Sequence, residues 1–113
     1  MIKIYHNPRC RKSREALQIL QESGKDFEII EYLKESLSFD EVKAIIDLLN
    51  IPPIKLLRKN EAVWKEHFKG KTLNNKDIIS SMVKFPKLME RPIVVNKEKA
   101  VIGRPPESIK QVL

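Results

Sequence analysis

The sequence predicts an α/β fold with a mixed central sheet, and three observations predict it. The chain opens on an alternating apolar segment that passes through a short turn into a helix with regular apolar spacing. A second β-like run follows at crossover distance, and a right-handed crossover sets those two strands parallel. Near the C-terminus two β-branched runs stand four residues apart, the pattern of an antiparallel hairpin, and a last helix follows them.

Taken in order, Ile2-Lys3-Ile4-Tyr5 alternates and reads as a strand, and His6-Asn7-Pro8 breaks it as a turn. From Arg11 to Ser23 the residues Ala16, Leu17 and Leu20 keep helical spacing, with Gly24 as a natural stop. Phe27 to Tyr32 reads as the second strand. Ser38-Phe39-Asp40-Glu41 is a capping box opening a helix whose Val42, Ile45, Ile46 and Leu49 share one face. Pro52-Pro53 stops that helix and starts a short one carrying Leu56, Leu57 and Arg58. Glu61 to Phe68 reads as a helix ending at Gly70, with Trp64 and Phe68 four apart and expected to face the core. A further helix runs from about Lys76 to Lys84, with Ile78, Ile79, Met82 and Val83 on one side, and Met82 and Met89 serve as core filler. Ile93-Val94-Val95 and Ala100-Val101-Ile102 form the hairpin around Asn96-Lys97-Glu98-Lys99. Gly103-Arg104-Pro105-Pro106 then leads to a last helix with Ile109, Val112 and Leu113 buried. The order is β-α-β, a helical insertion, then β-β-α; without the insertion it is the thioredoxin-like order. With 113 residues and no linker or repeat, residues 1–113 are expected to form a single domain.

Composition narrows the function classes. Hydrophobic residues make up 42% and charged residues 33%, which belongs to a globular chain and not to a disordered one. No apolar run approaches the ~18 residues that cross a bilayer, and MIKIYHNP is not a secretory leader. A cytoplasmic protein without membrane association is expected. The single cysteine excludes an internal disulfide and suits a reducing compartment. Zinc is not expected, since Cys10, His6 and His67 fall short of the about four clustered ligands of a structural site. The 22 basic and 15 acidic residues give a net charge of +7, but the 16 lysines are spread along the chain and no nucleic-acid motif accompanies them. Lys59, Lys65, Lys69 and Lys71 read as a solvated face, and His67 as exposed or structural. No helix carries a surplus apolar stripe, so a monomer is expected.

Cys10 lies where a strand hands over to a helix. There it meets backbone N–H groups and the positive end of the helix dipole, both of which favour a thiolate. Arg9, Arg11 and Lys12 add positive charge beside it, which argues against an inert sulfur in an apolar pocket. Ser13 can turn its hydroxyl toward the sulfur, and His6 either does the same or holds the loop. C-x-x-S lacks the second cysteine of C-x-x-C, so a covalent intermediate on Cys10 must be resolved by an outside thiol. Downstream, Arg58, Arg91 and Arg104 are candidates for an anion site, because guanidinium groups take tetrahedral oxyanions in bidentate fashion.

His6-Asn7-Pro8-Arg9-Cys10-Arg11-Lys12-Ser13-Arg14, Leu56-Leu57-Arg58-Lys59-Asn60, Arg91-Pro92-Ile93-Val94-Val95 and Gly103-Arg104-Pro105 stand in this order along nearly the whole chain. Together they resemble the glutaredoxin-coupled arsenate reductase family, which is related to the Spx proteins. The resemblance implies a thioredoxin-like fold with a helical insertion and Cys10 as the attacking thiol. It implies that Arg58, Arg91 and Arg104 bind the substrate oxyanion, that His6 and Ser13 support the thiolate, and that Arg91-Pro92 is a cis bond. The implied chemistry is reduction of arsenate to arsenite through a Cys10–arsenic adduct. That adduct is resolved by glutathione and glutaredoxin, with no bound cofactor.

Arg11 and Lys12 replace the small residues of the plasmid-borne enzymes, and Ile102-Gly103-Arg104-Pro105-Pro106-Glu107 looks more like a chromosomal, arsenate reductase-like branch. Two other functions fit the scaffold. One is a glutaredoxin-like thiol-disulfide oxidoreductase acting on glutathione mixed disulfides. The other is a regulator binding RNA polymerase, as the Spx proteins do, although Ser13 removes the C-x-x-C switch that many of those carry.

Overall fold

Ile2 and Ile4 turn inward and Lys3 outward, as a pleated strand requires, and they make β1 (Ile2–Tyr5) the centre of the molecule's sheet. The computed structural model describes residues 1–113 and places in order β1, α1 (Arg11–Glu22), β2 (Phe27–Ile30), α2 (Phe39–Leu49), a 3₁₀ helix (Pro53–Leu56), α3 (Ala62–His67), α4 (Asn75–Lys84), a 3₁₀ turn (Pro86–Leu88), β3 (Ile93–Asn96), β4 (Lys99–Ile102) and a last 3₁₀ helix (Pro106–Val112). The chain divides into two compact units, Met1–Glu35 with Arg91–Leu113, and the inserted Ser36–Glu90. No helix is long and apolar enough to cross a membrane.

The first unit is the thioredoxin-like one. Its sheet runs β2-β1-β3-β4. β1 pairs parallel with β2, Ile4 opposite Ile29, and antiparallel with β3, Ile4 opposite Val94. The mixed sheet and the parallel crossover are those the sequence predicts. Ile2, Ile4, Ala16, Leu20, Val94, Ile109 and Val112 form one buried cluster, so α1 and the last 3₁₀ helix share a face of the sheet. Ala16 and Leu20 reach it because they stand one helical turn apart. The His6 N–H continues the parallel ladder by donating to the Ile30 carbonyl at 2.9 Å. The chain therefore leaves the sheet at the carboxyl end of β1, straight into the Cys10 loop.

Several elements differ from the sequence reading. β2 ends at Ile30, because the Glu31 carbonyl accepts from the Lys34 and Glu35 N–H groups and turns the chain. Tyr32 is buried outside the strand. The hairpin is tighter than expected: Asn96 pairs with Lys99, and Lys97 adopts a left-handed φ of 57° to close a two-residue turn. The last helix is 3₁₀ and not α; with three residues per turn, Ile109 and Val112 stack on one side and bury together, while Leu113 stays half-exposed.

The inserted unit is helical. Ser38 caps α2 reciprocally with Glu41 as the capping box predicts, and Asn50 ends the helix at a left-handed φ of 55°. α2 packs on α4, burying Val42, Ile45 and Ile46 from one and Ile78, Ile79 and Met82 from the other. α3 buries no residue, so Trp64 and Phe68 do not reach the core as expected. They stack on each other with ring centroids 5.1 Å apart, and Phe85 meets Phe68 edge-on at 6.0 Å. At six residues, α3 is too short to build its own buried face. His67 is exposed and lies against Phe85 at 5.0 Å.

Candidate active site

The loop from His6 to Cys10 is held almost wholly by bonds to near neighbours in the chain. Asn7 Oδ1 accepts from the Arg9 N–H at 3.0 Å, the Asn7 carbonyl accepts from the Cys10 N–H at 3.0 Å, and the Asn7 N–H donates to Ser13 Oγ at 3.0 Å. Arg14 reaches back with Nη1 to the Pro8 carbonyl at 3.1 Å, and its own N–H makes the first helical bond to the Cys10 carbonyl at 3.0 Å. Cys10 thus becomes the N-cap of α1, extended at φ −94° and ψ 121°.

An N-cap side chain faces the unpaired N–H groups of the first helical turn. For the half-exposed Cys10, burial alone pushes the thiol up. The Ser13 backbone N–H, the Arg91 guanidinium as hydrogen-bond donor and as charge, and the Lys12 backbone N–H together outweigh it, so the thiol lies below its ordinary value of 9.0. The flanking basic side chains do less than the sequence suggests. Arg11 is 84% exposed and paired with Glu15 at 3.0 Å, and Lys12 acts on the sulfur through its backbone. The cation that reaches Cys10 is Arg91.

Ser13 and His6 form the layer beneath. Ser13 is fully buried; its N–H is among the first-turn groups that lower the Cys10 pKa, while its hydroxyl is occupied by His6 Nδ1 at 2.6 Å and the Asn7 N–H. His6, also buried, has its pKa lowered chiefly by desolvation; Glu31 opposes this and Arg14 adds to it. It is therefore neutral near pH 7, and of the two roles open to it in the sequence, holding the loop through Ser13 is the one its contacts show.

Arg91 and Arg104 are brought together by the strands. The Arg91–Pro92 bond is cis, as the resemblance implies, and so is Arg104–Pro105, which the sequence reading does not anticipate. Arg104 is exposed and donates from Nη1 to the Arg91 carbonyl at 3.2 Å. Gly103 donates to the Pro92 carbonyl at 2.8 Å, and a Cβ on Gly103 would fall 2.8 Å from Pro92 Cγ, so only glycine permits this approach.

Arg58 belongs to the inserted unit. Its N–H donates to the Leu88 carbonyl at 2.7 Å beside the Leu57–Met89 bridge, and the Glu90 N–H donates to the Leu56 carbonyl at 2.8 Å. Its guanidinium meets two carboxylates, Glu61 at 3.4 Å and Glu90 at 3.0 Å. The sequence reading gives the arginine but neither carboxylate, and it includes Asn7 and Gly103 in longer motifs without assigning either a role of its own. An Asn two residues before a turn N–H is the one local signal that could have flagged Asn7.

Residues 5–112 match the model of the ArsC family. An uncharacterized protein of Escherichia coli strain K12, YfgD, is 41% identical over 114 residues, covering 99% of this chain and 96% of its own. An arsenate reductase of Neisseria meningitidis is 39% identical, covering 99% of this chain and 97% of its own. Among solved structures, the arsenate reductase from Vibrio cholerae is similar with a TM-score of 0.94 at 38% identity, over 99% of this chain and 97% of that one.

Proposed function

The chain belongs to the ArsC family, and from that premise we propose that it reduces arsenate to arsenite with Cys10 as the attacking thiolate. The observation that carries this reading is the pairing of a lowered-pKa thiol at a helix N-terminus with the Arg91 guanidinium. A thiolate alone fits many reactions; a thiolate beside a fixed guanidinium fits attack on a tetrahedral oxyanion.

The thiolate attacks arsenic, an As–O bond breaks, and the oxygen leaves as water after taking up protons. A glutathione thiol then attacks the adduct. The two thiols together supply two electrons, arsenic falls from the pentavalent to the trivalent state, and Cys10 is left as a mixed disulfide with glutathione. Glutaredoxin reduces that disulfide, because the chain has no second cysteine to do so. Arg91 and Arg104, with Arg58 as the sequence motif suggests, neutralise the anion and the charge that develops on it. His6, Ser13 and Pro92 support the loop and the strand that hold these groups. No bound cofactor enters the scheme. Such a lone reduced thiol belongs in the cytoplasm, and a monomer suffices for it.

The test is arsenate-dependent NADPH consumption in the presence of glutathione, glutaredoxin and glutathione reductase. Wild type is expected to turn over, Cys10→Ser to lose at least about 10³-fold, and Arg91→Ala and Arg58→Ala to lose roughly 10²-fold. Turnover of a glutathione mixed disulfide without any arsenate dependence would replace this reading with that of a thiol-disulfide oxidoreductase. Inactivity in both assays, with Cys10 still titrating low, would point to a regulator.

A further inference from the structure

Asn7 does more than turn the chain. It is 9% exposed, and three of its polar groups are each bonded to a different part of the Cys10 loop: Arg9 through the side chain, Cys10 and Ser13 through the backbone. Other bonds hold the loop at His6 and Pro8, through Ser13 Oγ and Arg14 Nη1, but the Asn7 side chain is the group that bonds the N–H of the residue before Cys10. Pro8 brings no N–H, and the N-cap position needs a non-helical backbone that the helix does not itself impose. The side chain of Asn7 closes an Asx turn onto Arg9, the residue directly before Cys10.

Residue type matters here as well as geometry. Aspartate closes the same turn, but it would set a carboxylate three residues from a thiolate, and like charges disfavour one another. Serine closes a weaker turn of the same kind without charge.

We propose that Asn7 is a positioning residue for Cys10: its Asx turn sets the cysteine at the N-cap so that the sulfur faces the first-turn N–H groups, and its neutral amide does so without repelling the thiolate. This rests on reading Cys10 as the nucleophile. Asn7 need not touch the substrate; it acts through the sulfur.

The chain holds one cysteine, so alkylation by iodoacetamide reports Cys10 alone. The rate is measured against pH for each variant, with far-UV circular dichroism and thermal unfolding run on the same samples. Asn7→Ala and Asn7→Gln are expected to shift the profile to higher pH and to slow alkylation at mildly acidic pH by roughly threefold or more, since less thiolate is present. Gln keeps the amide but is one methylene too long to close the turn, so it carries the test if Ala fails to fold. Asn7→Ser is expected to restore the profile to within about twofold. Asn7→Asp is expected to be slow at low ionic strength and to recover toward the serine variant at about 1 M salt, where a charge effect is screened. Wild-type profiles in folded Asn7→Ala or Asn7→Gln would overturn the proposal, as would a salt-independent, wild-type-like Asn7→Asp its charge component. If wild type itself titrates as an ordinary thiol, the reading of Cys10 as an activated nucleophile falls first and the positioning role falls with it.

Discussion

Arg91 and Arg58 are both half-buried guanidinium groups, and their surroundings direct their charge in opposite ways. In the strand-bearing unit, Arg91 acts on a thiol and stabilises its anion. In the inserted unit, Arg58 is met by Glu61 and Glu90, so one positive charge faces two negative ones. A cation bound to a titrating sulfur changes the chemistry of that sulfur. A cation bound between two carboxylates is fixed in orientation, and an arriving anion must compete for it. The same residue type thus acts on a titrating thiol in one region and is held between two carboxylates in the other.

The largest expected effect breaks or secures the first half of this contrast. Arg91→Ala removes both a hydrogen bond and a charge from the sulfur, so the thiolate fraction falls; alkylation of Cys10 at mildly acidic pH should slow by roughly tenfold. Arg91→Lys should restore only part of the rate, because lysine supplies a point charge without the planar donor fork. An unchanged alkylation profile in folded Arg91→Ala would mean that the helix N-terminus alone sustains the thiolate, and the contrast would disappear.

The second half is tested through stability. Glu90→Ala leaves Arg58 with Glu61 alone in a half-buried setting, and urea unfolding should show a loss of about 1–2 kcal/mol. Lys43→Ala serves as the control: its pair with Asp47 at 3.1 Å is more than half exposed on both sides, and its removal should cost less than about 0.5 kcal/mol. If the two substitutions cost the same, the Glu90 carboxylate is a surface partner and does not orient Arg58.

The contrast also explains which parts of the site can be read from sequence. Apart from the His6 N–H on the Ile30 carbonyl, the Cys10 loop is built from bonds between near neighbours, such as Arg9 to Asn7 and His6 to Ser13, and the helix that caps on Cys10 begins at the next residue. Strand-turn-helix periodicity therefore places Cys10 at a helix N-terminus, the capping box places α2, and the β-branched runs place the hairpin. Contacts across long separations left no such trace. The Arg58–Glu90 pair spans 32 residues, the close approach of Gly103 to Pro92 depends on strand pairing, and the choice of Arg91 over the adjacent Arg9, Arg11 and Lys12 as the cation at the sulfur is decided by tertiary packing. The lack of a buried residue in α3 is illegible for a related reason: an i, i+4 aromatic pair shows that two rings meet, not that the core covers them.

His6 offers the smallest effect and the finest test of the loop, because here burial acts on an ionisable group with only partial compensation. Desolvation lowers its pKa below 6.5, Arg14 lowers it further, and Glu31 pulls the other way. As pH falls through 6.5 the unfolded chain takes up a proton that the folded chain refuses, so the unfolded state binds more protons and stability declines. The decline ends once His6 is protonated in the folded state as well; above 6.5 the stability is fully present. Thermal unfolding of wild type should therefore fall more steeply below pH 6.5 than that of His6→Gln, whatever the variant's starting stability. Glu31→Gln should extend the decline to lower pH, since it removes the one group that favours the protonated ring. Parallel slopes in wild type and His6→Gln would mean that the imidazole protonates freely in the folded loop, and that its bond to Ser13 does not depend on its staying neutral.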